Sequence, residues 1–249
     1  MIEIRDLARQ LGGRRVLDGV DLDVQKGETL VVLGPSGTGK SVLLKHIIGL
    51  MQPDRGSIKI DGEEIVGVRP NEMDRVRSRF GMLFQSAALF DSMTVGENIS
   101  LPMLEHDRAM SADERERRVR ERLEWVGLKG VENMKPASLS GGMRKRVGLA
   151  RALALDPEYI LYDEPTTGLD PIMSDVINQL IRDLQAQLGV TSVVVTHDIK
   201  SANEVADRIV LLYQGKVMFS GTPEETATTQ DPMVRQFLAG SSRGPIQPV

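Results

Sequence analysis

Apolar residues fall in short strand-length clusters along most of this chain, and helical spacing takes over between them. Residues 2–7 and 16–24 read as strands, broken by the Gly12-Gly13 and Lys26-Gly27 turns before the apolar run 29–33. This predicts a β-rich edge leading into a central strand. Further strands are predicted over 57–60, 80–84, 159–163, 192–196, 208–213 and 216–219, mostly with helical patterns between them. Such alternation predicts a parallel sheet covered by helices. From about Ala87 to Pro157 the pattern changes: no strand stands out, and Val119, Leu123 and Val126 recur at helical spacing along a charged stretch, 112–125. A helical subdomain inserted in an α/β core is expected there, its Glu- and Arg-rich face solvated and laced by i, i+4 pairs.

Near the C-terminal end, Asp231 followed by Pro232 is an N-cap and first-turn signal. Met233, Phe237 and Leu238 supply apolar positions and Gly240 a stop, which predicts a short helix. Residues 241–249 are rich in turn formers and are expected to be extended or disordered, unless their apolar handles Ile246 and Val249 carry them across to a neighbouring copy. No motif recurs at a fixed period. The segments are thus expected to form one domain over 1–239: a core at about 1–86 and 158–220, the helical subdomain at about 87–157, a helical part at 221–239, and a tail at 240–249.

Composition narrows the class. A chain of 249 residues suits one large domain burying roughly 70–75% of its unfolded surface. The absence of cysteine and of a signal-peptide pattern fits a soluble protein of a reducing compartment. Apolar runs are strand-sized, far short of the ~20 residues that cross a bilayer, so a membrane role is expected to come through a partner. The net charge of −4 argues against non-specific binding to nucleic acid.

Chemistry concentrates at two places. Gly34-Pro35-Ser36-Gly37-Thr38-Gly39-Lys40-Ser41 fits the Walker A pattern, between an apolar strand and a helical run. Its glycines let backbone N–H groups curl around phosphate oxygens, Lys40 suits the outer phosphates, and Ser41 offers an oxygen to Mg²⁺. This motif fixes the ligand class but not the biology. Downstream, the apolar strand 159–163 ends on Asp163, with Glu164 next. Asp163 is suited to hold Mg²⁺ and Glu164, facing another direction, to polarise an attacking water.

Leu139-Ser140-Gly141-Gly142-Met143, followed by Arg144-Lys145-Arg146, resembles the signature sequence of ABC ATPases. Physically, Ser140 and the bare backbone of Gly141-Gly142 at a helix start make a second anion-binding terminus. The resemblance implies a P-loop, RecA-like α/β core with a mostly parallel sheet, an N-terminal antiparallel β edge and an inserted ABC helical subdomain. It implies ATP and Mg²⁺ as ligands, and a head-to-tail homodimer in which Ser140, Gly141 and Gly142 complete the ATP site of the opposite protomer. By the same resemblance Gln85 is the Q-loop glutamine, contacting Mg²⁺ or the lytic water. Asp170, in Thr167-Gly168-Leu169-Asp170, is the D-loop aspartate across the dimer interface, and His197 is the switch histidine on the γ-phosphate. His46 and His106 lack such context and are assigned to structure or surface. One departure is Leu11, where many ABC ATPases carry an aromatic that stacks on adenine; Leu11 or Arg14 is left to cover the ring.

Three segments, 84–95, 139–146 and 231–238, are similar to the ATPases of MCE-linked phospholipid transporters, the Mla type. That resemblance implies a subunit on the cytoplasmic face of the bacterial inner membrane, bound to transmembrane permease subunits with MCE-domain and small accessory subunits. An ABC transporter of another small molecule, such as an amino acid, shares every catalytic residue. A chromosome or DNA-repair ABC ATPase would need a long coiled-coil insertion, and a translation-type factor a second cassette. Neither is present in this sequence.

Overall fold

The computed structural model describes residues 1–247, which divide into two compact units. In chain order the first half holds β1 (Ile2–Leu11), β2 (Arg14–Val24), β3 (Thr29–Leu33), α1 (Lys40–Ile47), β4 (Arg55–Ile60), β5 (Glu63–Glu64), α2 (Pro70–Arg77) and β6 (Phe80–Leu83). Then come α3 (Val95–His106), α4 (Ala112–Trp125), a 3₁₀ turn (Pro136–Ser138), α5 (Gly141–Ala152), β7 (Tyr159–Asp163) and α6 (Pro171–Leu188). The chain closes with β8 (Thr191–Thr196), α7 (Ile199–Val205), β9 (Arg208–Tyr213), β10 (Lys216–Gly221), α8 (Pro223–Thr228) and α9 (Pro232–Ala239).

The first unit combines residues 1–68 with the chain from 193 onward. Its antiparallel sheet has the order β2-β1-β4-β5. The register pairs Ile2 with Val24 and Ile60, and Ile4 with Leu22 and Ile58. Period-two alternation thus puts six buried apolar side chains on one face. β3 runs parallel to β9, and β10 is antiparallel to β9. Every residue of β3 is buried, which is why it reads in the sequence as an unbroken apolar run.

The described residues past Gly240 are tied back to α9 and β9 by hydrogen bonds. Gln236, buried in α9, accepts the Ile246 N–H at 2.6 Å and donates to the Ile246 carbonyl at 2.9 Å. The Gln247 N–H donates to the Tyr213 hydroxyl at 3.0 Å. A side-chain amide here does the work of a strand partner for Ile246. Val249, the second expected handle, lies outside the described residues.

The second unit spans residues 69–192. β6 and β7 pair in parallel, Phe80 with Tyr159 through Leu83 with Tyr162. Helices α3, α4 and α5 occupy the strand-free middle. Ser111 caps α4, and Glu114 on it takes hydrogen bonds from Arg117 and Arg118, which pull its carboxyl down to about 2. The charged face of α4 is solvated as expected except at Arg122. That guanidinium is buried, donates to the Leu153 carbonyl at 3.0 Å, pairs with Asp156 and sits 4.1 Å over the Trp125 ring. α6 buries Ile177, Ile181 and Leu184 along one stripe and ends at Gly189, in the left-handed conformation at φ 64°.

Candidate functional site

In the first unit the chain turns from β3 into α1 through the loop 34–39. Close approach dictates two of its glycines, Gly34 and Gly39. A Cβ on Gly34 would lie 2.3 Å from the Leu212 carbonyl oxygen, and one on Gly39, at φ 100°, 2.7 Å from that of Val16. Thr38 Oγ1 donates to the Pro35 carbonyl at 2.9 Å, and buried Lys40 Nζ donates to the carbonyls of Gly34 (2.8 Å) and Pro35 (3.0 Å). The loop therefore holds an ammonium within its own curve. The N-cap of α1 is Gly39, which brings no capping side chain, and the first turn of the helix contains no acidic residue, so the helix's own sequence leaves the positive end of its dipole uncompensated. Ser41 follows on that turn, half-buried, while Ser36 and Gly37 are exposed at the loop crest. This cradle fits a phosphate chain.

The first unit also carries His197, exposed one residue past the end of β8. Leu11 closes β1 and pairs with exposed Arg14 across the Gly12-Gly13 hairpin. His46 is buried in α1, with Nδ1 against the Val42 carbonyl at 2.7 Å; burial lowers its pKa. It belongs to the core.

In the second unit Asp163 closes β7, and Glu164 begins the following turn with φ 50°, the left-handed region. Both carboxylates are buried. Thr167 Oγ1 donates to the Glu164 carboxylate at 3.0 Å and the Thr167 N–H to the Glu164 carbonyl at 3.3 Å. Lys145, buried on α5, donates to the same carbonyl at 3.0 Å. Burial pushes the Lys145 ammonium down to about 8, against the upward pull of Asp163 and Glu164. Neither Thr167 nor Lys145 was singled out from the sequence. Helical phase was the available signal for Lys145: it shares a face with Gly142 and Leu149, three residues before and four after, and that face is buried.

Ser140 is the N-cap of α5, its hydroxyl accepting the Met143 N–H at 3.2 Å. A Cβ on Gly142 would meet Met173 Cε at 2.4 Å, and one on Gly141 would sit 3.7 Å from Leu169. The segment 140–142 thus lies against the segment that starts α6. Asp170 caps α6, accepting the Ile172 and Met173 N–H groups at 3.0 Å each. Gln85 is exposed two residues past β6. Beyond it Ala87 and Ala88 both take left-handed φ, 61° and 47°, and Arg151 of α5 donates to their carbonyls at 2.8 and 2.7 Å. Ala87 is core, whereas half-exposed Phe90 borders an apolar groove with Phe84, Leu101, Pro102 and Arg151. Buried Asn98 fixes that rim by bonding both backbone groups of Phe90.

Among the described residues no cluster of three or more His, Cys, Asp or Glu side chains could hold a metal, and no helix is long and apolar enough to cross a membrane. The Ser41 hydroxyl and the Asp163 carboxylate are hard oxygen donors, the chemical type that Mg²⁺ takes.

Residues 17–167 match the ABC transporter family. The chain is 46% identical over 245 residues to the ribonucleotide transport ATP-binding protein mkl of Mycobacterium leprae, covering 98% of this chain and 70% of that one. It is 42% identical over 251 residues to the intermembrane phospholipid transport system ATP-binding protein MlaF of Haemophilus influenzae, covering 99% and 93%. Among solved structures it is similar to a dimeric ATP-binding cassette in a post-hydrolysis state bound to ADP and Pi, with a TM-score of 0.83 and 36% identity over 90% of this chain and 99% of that one. With a glycine cradle leading into a helix, a strand ending in paired carboxylates, and these relatives, the chain belongs to the ABC transporter family as an ATP-hydrolysing cassette.

Proposed function

We propose that this chain is the ATPase subunit of a phospholipid transporter with an MCE-type partner, working as a homodimer on permease subunits at the cytoplasmic face of a bacterial inner membrane. The chemistry is carried by one observation: β7 ends on Asp163, and the turn behind it holds Glu164 left-handed with its carboxylate on the Thr167 hydroxyl. In this reading Gly34 to Ser41 cradle the phosphates, with Lys40 neutralising the outer two. Ser41, Asp163 and Gln85 hold Mg²⁺, which supplies positive charge to the phosphate oxygens when bound. Glu164 orients the attacking water and takes its proton, while His197 donates to the γ-phosphate. Ser140, Gly141, Gly142 and Asp170 serve the nucleotide of the other protomer, in a single ABC domain over 1–239 whose helical subdomain is 87–157. Support for two-fold assembly comes from the solved relative, whose cassette is dimeric.

For the cargo, the Haemophilus relative is named for phospholipid transport and matches nearly end to end. The Mycobacterium relative is named for ribonucleotides and is matched over 70% of its length. The groove beside Phe90 suits a short cytoplasmic helix of a permease. Glu164→Gln tests the chemistry. It should bind ATP with the parent's affinity yet turn over at least about 100-fold more slowly, and near-normal hydrolysis would reject Glu164 as the catalytic carboxylate. Purifying the complex from its native membrane tests the cargo: co-purified MCE-domain subunits are expected, and a soluble solute-binding partner would favour another substrate, such as an amino acid or a ribonucleotide.

A further inference from the structure

α5 begins at the signature and continues past the catalytic turn. Its N-cap is Ser140, and five residues on, the buried ammonium of Lys145 donates to the main-chain oxygen of Glu164 at 3.0 Å. That oxygen belongs to the peptide joining Glu164 to Pro165. The local backbone is disfavoured twice over. A left-handed residue with a side chain costs about 1–2 kcal/mol, and a following proline narrows what remains. Glu164 nonetheless sits at φ 50°. Such a conformation persists where surrounding structure over-determines it. Two of the groups that do so, the Thr167 N–H and hydroxyl, come from the turn itself. Lys145 comes from another element and brings a charge that a lysine, normally solvent-facing, keeps buried at a cost.

A buried ammonium aimed at a carbonyl is also an uneconomical way to fill core space. The neighbouring face of α5 is made of Gly142, Val147, Gly148 and Leu149, so an apolar side chain would suit the position on packing alone. Its partner is the backbone of the residue whose carboxylate must point at a water, and aim at that point is sensitive to small displacements.

We propose that Lys145 is a positioning residue for ATP hydrolysis: by donating to the Glu164 main-chain oxygen it fixes the left-handed turn that aims the carboxylate, and ties that aim to the placement of α5 and Ser140. The inference rests on Glu164 being the catalytic carboxylate.

The test measures nucleotide affinity and steady-state turnover separately on the full chain. Lys145→Met keeps the length and removes the donor; Lys145→Arg keeps a donor. The methionine variant should lose about 10- to 100-fold in kcat, with the Kd for a fluorescent ATP analogue and the KM within about threefold of the parent. The arginine variant should recover kcat to within about fivefold of the parent. If Lys145→Met does not fold, Lys145→Leu, which also lacks a donor, replaces it with the same expectation. A kcat within about twofold of the parent, a Kd that weakens in parallel with kcat, or an arginine variant as slow as the methionine one overturns the proposal. Glu164→Gln measured alongside separates the two readings. Near-normal turnover in that variant overturns the catalytic assignment and this inference with it. Loss of turnover there beside normal turnover in Lys145→Met overturns this inference alone.

Discussion

Gly34→Ala is the sharpest perturbation of the phosphate cradle, because its cost is set by a contact that cannot yield. The added Cβ would stand 2.3 Å from the Leu212 carbonyl oxygen and 3.1 Å from Thr38 Oγ1. An ordinary C···O approach is roughly 3.3 Å, so one side must retreat by about 1 Å. Leu212 is fully buried in β9 and paired with Val217 of β10, which leaves the loop to move. Forcing atoms into packed space costs about 1–3 kcal/mol, which for a chain of this size lowers Tm by roughly 2–12 °C. The N–H groups that would meet phosphate oxygens are displaced on the same scale, for which a loss of about 10- to 100-fold in ATP affinity is expected. Gly37→Ala is the control: nothing stands within 4 Å of its Cβ, and at φ 77° it bears only left-handed strain, about 1–2 kcal/mol. Thermal unfolding with and without Mg·ATP, together with titration of a fluorescent nucleotide, measures both quantities. A Gly34→Ala protein that binds nucleotide within about threefold of the parent and melts within about 1 °C of it would refute the steric argument.

Phe90→Asp should leave folding and ATP binding intact while weakening permease capture by about 30-fold, an interface hot spot of roughly 2 kcal/mol; undiminished co-purification would exclude the groove. Arg122→Met removes a charged donor from the buried Leu153 carbonyl, which keeps the Asp156 N–H at 3.2 Å; the lost hydrogen bond is worth about 1–2 kcal/mol, with little added by the Asp156 pair because that carboxylate is largely exposed, so Tm should fall by roughly 2–8 °C with nucleotide affinity unchanged, and an unchanged melt would show the guanidinium to be dispensable. His46 has a folded pKa below its unfolded value because of burial, so the unfolded chain takes up the proton first as pH falls. The stability that its neutral form contributes is complete above about pH 6.5 and drains away below it. His46→Gln should therefore flatten the decline in Tm between pH 7.5 and 5.5 relative to the parent, and parallel curves would mean another group carries that dependence.

Where both faces of a strand are buried, the sequence was easy to read. β3, β7 and β9 begin and end where their apolar runs do, at Thr29–Leu33, Tyr159–Asp163 and Arg208–Tyr213. β1 instead continues to Leu11, past the predicted end at Leu7, since Ala8, Arg9 and Gln10 carry the ladder of a hairpin without an apolar pattern to mark it. The motif residues were legible because their chemistry demands fixed types at fixed spacing. Arg122, Lys145 and Gln236 were not, for a shared reason: each is a polar side chain buried against a main-chain carbonyl supplied from elsewhere in the fold. A charge in a run of charges reads as solvated until its partner is known.

The grip of Arg151 on two consecutive carbonyls has a mechanical consequence. Ala87 and Ala88 hold conformations that alanine resists, and the fork of one guanidinium spans both. Since that same arginine helps floor the groove beside Phe90, the rim, the floor and α5 are cross-linked by directional bonds as well as by side-chain packing. Load applied at the rim would then meet directional bonds into a helix, and less of it would be lost to rotamer changes than across a purely apolar contact.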